Sequence, residues 1–404
     1  MNPFRGLLRV SILSQLLVVA GLLAPGGVDS ASISTNADPP VIPVASYSTI
    51  APEDVEAHIV AIQGARSGTG SEAQRAKLAE VAGYIRGLLT GYGLSVSEDP
   101  VTFSGRTFPN IVGTLRGTTC PEKTFIVSAH YDGVSASPAA DDDASGVAAV
   151  LEIARILSAQ ALPASVDFVA FSFEEQGMIG SSQMATAASS AGRELLGMIN
   201  FDMIAYTCDQ PGCQRYPEGI PPPRSTGDFV AVVGNTASHS LLESFTATSA
   251  SAVPDLIAFP LEVAGNGETL PDVRRADHAP FWDHGYQALF VTDTADLRNP
   301  NYHQAGDTLD TLDLAFAAAV ANASAATVVA VLTADENGDG RADVCGDVPV
   351  GGSAESPQPQ SPVKSGDDGS PRNAVLFAML AMAAIALLAV AGAWFAVRRR
   401  SRQD

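Results

Sequence analysis

The chain has 404 residues, 46% of them hydrophobic, with 36 glycines, 26 prolines and 4 cysteines. That composition excludes a disordered chain, a disulfide mini-protein and a multi-pass membrane bundle; the length suits two or three domains or one large α/β domain. Lys and Arg number 23 against 44 Asp and Glu, a net charge of −21, which argues against a nucleic-acid partner because phosphate binding needs basic patches.

In chain order, residues 1–31 come first, with Arg5 and Arg9, an apolar run from Val10 to Leu23 and small residues around Val28–Ala31. This is the pattern of a secretory signal peptide, an uncleaved anchor helix being the alternative. Residues 31–47 read as a loose lead-in to the main folded domain, expected over 48–334. Pro52 to Leu94 is helix material, with Leu78, Val81, Ile85 and Leu88 at helical spacing. From Thr124 strands and helices alternate. Strands are expected at Thr124–Ala129, Val166–Phe173, Leu196–Phe201, Phe229–Val233 and Gln287–Thr292, and helices at Gly146–Leu157, Leu241–Ser249 and Leu312–Leu332. Such alternation predicts an α/β fold, a mainly parallel or mixed central sheet flanked by helices.

The C-terminal part reads differently. Residues 346–372 are rich in Gly, Ser and Pro, as in a flexible linker. Residues 373–397 carry no charge and are long enough to cross a bilayer. Arg398, Arg399, Arg400 and Arg402 follow, marking 398–404 as a cytoplasmic tail. A single-pass protein is expected, its body on the secreted side of the membrane. The two ends contribute +1 and +3, so the segment between them, 31–372, carries −25. In an oxidising compartment Cys120, Cys208, Cys213 and Cys345 are expected to pair, with Cys208–Cys213 the first choice because the two lie close in sequence.

Ligands of open α/β sheets bind at the carboxyl ends of the strands. Here those ends and their adjoining loops carry His130-Tyr131-Asp132, Asp141-Asp142-Asp143, Glu174-Glu175, Asp202 and His303. Each taken alone has an ordinary reading: a surface pair, a helix cap, a solvated face or a turn. Together they bring two imidazoles and several carboxylates to one edge. Clustered carboxylates repel unless a cation neutralises them, and His with Asp/Glu suits Zn²⁺ or a similar divalent metal.

The stretches SAHYD (128–132), PAADDDASG (138–146), FSFEEQGMIGS (171–181), NFDM (200–203) and YHQAGDT (302–308), in this order, resemble the M28 zinc peptidases, the family of bacterial leucyl aminopeptidases. RSGTGSEAQRAKLAEVAGYIRGLL resembles the first helix of that family, and the resemblance covers roughly residues 60–335. One departure is Ala139, where such proteins usually carry Gly.

The resemblance implies two zinc ions. Asp141 would bridge them, His130 and Asp202 would complete one site, and Glu175 and His303 the other. Glu174 would be the general base acting on the activated water, with Asp132 orienting His130. A strained cis peptide at Asp141–Asp142 is implied too. In RRADHAPFWDHG, Asp277-His278 matches a family segment near the site, making His278 a candidate for substrate contact or oxyanion stabilisation, with a helix-capping pair as the alternative. An aminopeptidase acting on peptides is expected. A carboxypeptidase of the same family, a glutaminyl cyclase and a non-catalytic binding or receptor protein on the same scaffold are the alternatives.

Outside the resemblance, residues 335–345 (DENGDGRADVC) space Asp335, Asn337, Asp339 and Asp343 like a calcium loop with Gly340 at the turn. The stretch lacks the Glu at position 12 of an EF-hand and looks more like the short loops of thrombospondin type 3 or dockerin repeats. Ca²⁺ binding and a plain acidic linker both stay open.

Overall fold

Eight strands form one sheet in the order β1-β2-β4-β3-β5-β8-β6-β7. They are β1 (Ser95–Phe103), β2 (Arg106–Leu115), β3 (Cys120–His130), β4 (Ala164–Phe171), β5 (Leu195–Phe201), β6 (Val230–Asn235), β7 (Ala258–Val263) and β8 (Leu289–Thr292). This computed structural model describes residues 49–346, apart from 219, 221, 339 and 340. The expected signal peptide, linker, membrane segment and tail lie outside the described residues, as does Asp339. The central strands β4, β3, β5 and β8 run parallel, as expected. The sheet is mixed because β2 pairs antiparallel with both β1 and β4, and β6 antiparallel with β8. The β1–β2 hairpin and β7 were not foreseen: their alternation is broken by Pro100, Pro109 and Pro260 and by polar residues facing solvent.

Alternate residues of each central strand enter opposite cores, as the pleat requires. Phe125, Val127 and Ala129 of β3 join the larger core, while Ile126 joins the smaller one. In β4, Val166, Phe168 and Ala170 face the first and Val169 and Phe171 the second. The larger core is covered by α1 (Pro52–Ile62), α2 (Glu72–Gly91), α3 (Ala144–Leu157), α5 (His239–Ala252) and α7 (Leu314–Thr333); the smaller lies under α4 (Ile179–Ser190) and α6 (Ala279–Asp283).

The helix material before Leu94 is two helices, because Ser71 starts a second one. Its hydroxyl accepts from the Gln74 amide at 3.3 Å while the Gln74 side chain accepts from the Ser71 amide at 2.8 Å, a capping box. Asp313 caps α7 by accepting from the Phe316 amide at 3.0 Å. Among the described residues α7 alone is long and apolar enough to span a membrane. It is instead a core helix: Val320, Ala321, Ala325 and Val328 are fully buried, and a helix apolar on all sides belongs inside a protein.

Two disulfides are present. Cys208–Cys213 is the expected local bridge, and Cys120–Cys345 ties the start of β3 to the chain beyond α7 across 225 residues. Of the expected calcium ligands, Asp343 acts as a local cap, its Oδ2 accepting from the Glu336 amide at 2.8 Å; neither it nor Asp335 belongs to a metal-holding cluster among the described residues.

Closing so long a loop constrains the unfolded chain strongly. A Cys120→Ala/Cys345→Ala variant of the full chain is expected to lose about 2–4 kcal/mol, read as a lower urea midpoint. Opening the five-residue Cys208–Cys213 loop should cost less globally.

Candidate metal centre and active site

The parallel strands end at one edge, and their last residues supply the site. His130 closes β3; Glu174 and Glu175 follow β4; Asp202 follows β5; Asp293 follows β8, and His303 sits in the loop beyond. Two overlapping ligand groups result: His130, Asp142 and Asp202, and Asp142, Glu175 and His303, the potential donor atoms in each lying within 4.8 Å of one another.

Asp142 stands between them. Its Oδ1 lies 3.1 Å from His130 Nε2 and its Oδ2 lies 3.0 Å from His303 Nε2. His303 Nε2 is also 3.1 Å from Glu175 Oε2, and His130 Nε2 is 3.9 Å from Asp202 Oδ1. The shared carboxylate is therefore Asp142, and the assignment of that role to Asp141 is corrected.

The three consecutive aspartates do three different jobs. Asp141 points away from the imidazoles. Its Oδ1 accepts from the Ala205 amide and its Oδ2 from Asn299 Nδ2, both at 2.9 Å, and it hydrogen-bonds Asp293. Burial and the neighbouring Asp293 push its pKa well up, and its oxygens are engaged by these partners rather than by the imidazoles. Asp143 caps α3, accepting from the Gly146 amide at 3.0 Å, and its other oxygen accepts from the His130 amide at 3.3 Å. The cis peptide falls one residue later than expected, at Asp142–Asp143, and a second lies at Asp202–Met203.

Residues outside the ligand set hold this arrangement. Asp307, within the YHQAGDT stretch, accepts from the amides of Asp141 at 2.7 Å and Asp142 at 3.3 Å. Arg66 is fully buried; it donates from Nε to the Tyr131 carbonyl at 2.8 Å and from Nη1 to the Pro138 carbonyl at 3.1 Å, joining the His130 and Asp142 loops. Both residues sit in stretches quoted for the resemblance and were given no role, since nothing local marks a buried clamp. Asn299 carries no sequence signal at all. Ala139 takes a left-handed φ of 57°, which explains the usual Gly there; a non-Gly residue in that region costs on the order of 1 kcal/mol. His303 itself has φ 59°.

Glu174 is buried beside this cluster, and its amide donates to Asp132 Oδ1 at 3.0 Å. The same Asp132 oxygen is 3.7 Å from His130 Nδ1, near enough to orient the ring and longer than a hydrogen bond. Burial pushes the Glu174 carboxyl well above its usual range, despite the nearby imidazole of His130. Glu175 is likewise raised, to about 7, by burial and then by Asp142. His303 resists its burial and is raised to about 10 by Asp142 and Glu175.

His278 is corrected from a substrate-contacting candidate to a wall residue. It is fully buried, its ring centroid 4.7 Å from that of Phe290 and 4.3 Å from that of Trp282, and its Nε2 is 2.8 Å from the Val273 carbonyl. Burial lowers its pKa to about 3, so the ring is neutral. The preceding Asp277 is fully buried near the site, and burial pushes its carboxyl up to about 7.

The donor set fits zinc. Both ring nitrogens of His130 and Oε1 of Glu175 are buried without a hydrogen-bond partner, while carboxylates converge on the imidazoles. Buried groups in this state call for a cation, and imidazole with carboxylate ligands suits Zn²⁺. Asp142→Asn is expected to strip metal from both ligand groups, whereas Asp141→Asn, which touches no ligand atom, is expected to weaken zinc affinity by less than about tenfold. Metal content and zinc titration of the full-chain variants check this.

The comparisons with known proteins agree. Peptidase family M28 matches residues 110–328. The uncharacterized protein YfbL of Escherichia coli (strain K12) is 35% identical over 246 residues, 57% of this chain and 74% of that protein. A probable zinc metalloprotease of Leptosphaeria maculans is 29% identical over 245 residues, 54% of this chain and 56% of the relative; the chain spans about half the length of this fungal protein. Among solved structures, the LapA aminopeptidase of Legionella pneumophila superposes with a TM-score of 0.56 at 18% identity, over 71% of this chain and 72% of that one. A glutaminyl cyclase of Bacteroides thetaiotaomicron superposes at 0.52 and 16%, over 70% and 99%. At such identities the likeness to solved structures is one of fold. The family match, which spans more than half of the chain, is what decides membership: this protein belongs to peptidase family M28, the zinc metallopeptidases.

Proposed function

We propose that the protein is a two-zinc aminopeptidase that removes N-terminal residues from peptides. The observation that carries the two-metal part is the position of Asp142, whose two oxygens each lie about 3 Å from a different histidine. His130, Asp202 and Asp142 would hold one ion; Glu175, His303 and Asp142 would hold the other. When bound, zinc supplies Lewis-acid charge that polarises a carbonyl and acidifies water.

The remaining chemistry belongs to the chain's own residues. Glu174 is a buried carboxyl with a raised proton affinity, which suits a group that accepts a proton from water and returns it to the leaving amine. Asp132 holds the backbone of Glu174 and faces the His130 ring, so base and ligand keep one relative position. Burial excludes bulk water from both.

The free amine is favoured by charge. A mostly apolar cavity open to solvent is lined in part by Asp202 and bordered by two arginines. Both are committed. Arg275 lies 2.7 Å from Asp296 and 3.8 Å from Asp272, and Arg215 donates to the Asp296 carbonyl. An ammonium entering the cavity meets the Asp202 carboxylate in its lining. The presence of both ligand groups and the base together disfavours a non-catalytic scaffold. The two disulfides support the extracytoplasmic location expected from the chain ends.

Two measurements check this on the full chain. Glu174→Gln is expected to retain zinc and lose on the order of 10²–10⁴-fold in kcat; near-normal hydrolysis would reject the base. A panel of aminoacyl, N-blocked, C-terminal and N-terminal glutaminyl peptides is expected to give cleavage of free-amine substrates only, with about two zincs per chain. One zinc with cyclisation of the glutaminyl peptide would select the cyclase instead.

A further inference from the structure

Between the end of β4 and Glu174 the chain turns, and one bulky residue makes the turn. Phe173 stands immediately before Glu174 with a left-handed φ of 58°, although it is aromatic and fully buried. That backbone disfavours any residue with a Cβ, and a bulky one persists there only where its surroundings over-determine it. The turn is bound on both sides. The Phe173 carbonyl accepts from the Ile179 amide at 3.0 Å, and the Glu174 carbonyl accepts from the amides of Gly177 and Met178, both at 2.7 Å. Ser172 donates from its amide to Asn110 Oδ1 and from its hydroxyl to the Phe108 carbonyl, both at 3.0 Å.

The surroundings form an aromatic socket. The Phe173 ring centroid lies 5.9 Å from that of Phe103 and 5.8 Å, edge-on, from that of Phe108, separations at which aromatic pairs attract. Gly68 closes a third side, since a Cβ there would come within 2.4 Å of Phe173 Cε1. Phe103 and Phe108 belong to the β1–β2 hairpin, whose two-residue turn, Ser104-Gly105, has φ 48° and 71°. A turn with both central residues left-handed matches the twist of paired strands and fixes their register. Here it sets Val101 opposite Phe108 and Phe103 opposite Arg106. The pairing of β2 with β4 begins at Ile111, so residues 108–110 reach past the last pair to the edge where the site lies. There Asn110 also donates to the Gly180 carbonyl at 2.9 Å, and the Pro109 carbonyl accepts from the Tyr131 hydroxyl at 2.7 Å. The hairpin thus grips the chain beside His130 as well as the turn before Glu174.

We propose that Phe173, seated in this socket, is the positioning residue that aims Glu174, and that the β1–β2 hairpin serves the site by holding it. The proposal rests on the reading of Glu174 as the base. The two glutamates after the turn differ in what fixes them. Glu175 belongs to a ligand group, so bound zinc fixes its carboxylate, whereas Glu174 belongs to neither group. Asp132 holds the Glu174 amide, but the direction in which the side chain leaves the backbone follows from the turn at Phe173. Loss of the socket therefore loosens the base and leaves the ligands in place. Proton transfer needs the base within hydrogen-bond reach of the water, so a loosened base costs turnover rather than substrate binding.

The test uses the zinc-loaded full chain, a free-amine aminoacyl anilide as substrate, and amide hydrogen exchange with and without zinc. Phe173→Gly suits the left-handed backbone but empties the socket. It is expected to lose on the order of 10–100-fold in kcat, with KM within about twofold and zinc content unchanged. Phe173→Leu should recover part of that loss. Phe103→Ala removes one wall of the socket through a half-buried ring and leaves the turn intact, so it carries the test if Phe173→Gly does not fold; a loss of about three- to tenfold in kcat is expected. Exchange at amides 174 and 177–180 should rise in each variant, zinc-loaded or not. A double-mutant cycle separates aiming the base from general support. Made on Glu174→Gln, Phe173→Gly is expected to cost about twofold or less, because the base it aims is gone. Equal losses in both backgrounds, a loss carried by KM or by departed zinc, or unchanged exchange would overturn the role of Phe173 and leave Glu174 as the base. A Glu174→Gln variant that hydrolyses normally, or a wild type that cleaves no free-amine substrate, would overturn both.

Discussion

The site depends on one carboxylate serving two imidazoles. Asp142 is a loop residue, and a loop residue holds a position to a few tenths of an ångström only if its backbone is fixed on both sides. Asp307 fixes it by accepting from the amides of residues 141 and 142, and Asp143 fixes it by beginning α3 one residue later. Each support is itself an acid. This concentrates negative charge around a point that only a cation satisfies, with the buried guanidinium of Arg66 as the permanent part of the balance. In such an arrangement metal affinity and loop geometry are not separable properties, because the charges that call for the ion are also those that shape the loop.

The strand–helix alternation, the parallel centre of the sheet and the edge at which ligands gather were all legible in the residues, since buried parallel strands are continuous apolar runs and the polar residue that ends each is conspicuous. The β1–β2 hairpin was hidden because its residues alternate poorly and are interrupted by proline. The bridging aspartate was misplaced by one for a simpler reason. Three identical side chains in a row carry no internal mark of which faces the metal; only the partners do, and Asn299, Ala205 and Asp307 arrive from more than sixty residues away. His278 misled in the opposite sense. Its neighbours in sequence look like a site segment, but the ring is fully buried and packs against Phe290 and Trp282.

The short loop after β8 carries more of the design than its length suggests. Arg298 holds the wall of the apolar cavity, Asn299 holds Asp141 and with it the aspartate loop, and His303 belongs to the second ligand group. Tyr302 lies against the His303 ring at 3.8 Å between centroids and accepts from Arg275. Four of the six residues 298–303 thus touch the cavity wall, the aspartate loop or the metal cluster. Packed elements of this kind move together or not at all. A change in the 206–229 segment reaches the aspartate loop through Arg298 and its neighbour Asn299, and also through Asp293, which accepts from the Tyr206 amide and hydrogen-bonds Asp141. The cavity wall and the metal cluster are accordingly joined in a stretch with almost no regular structure of its own, which is where a rigid sheet lets function be placed.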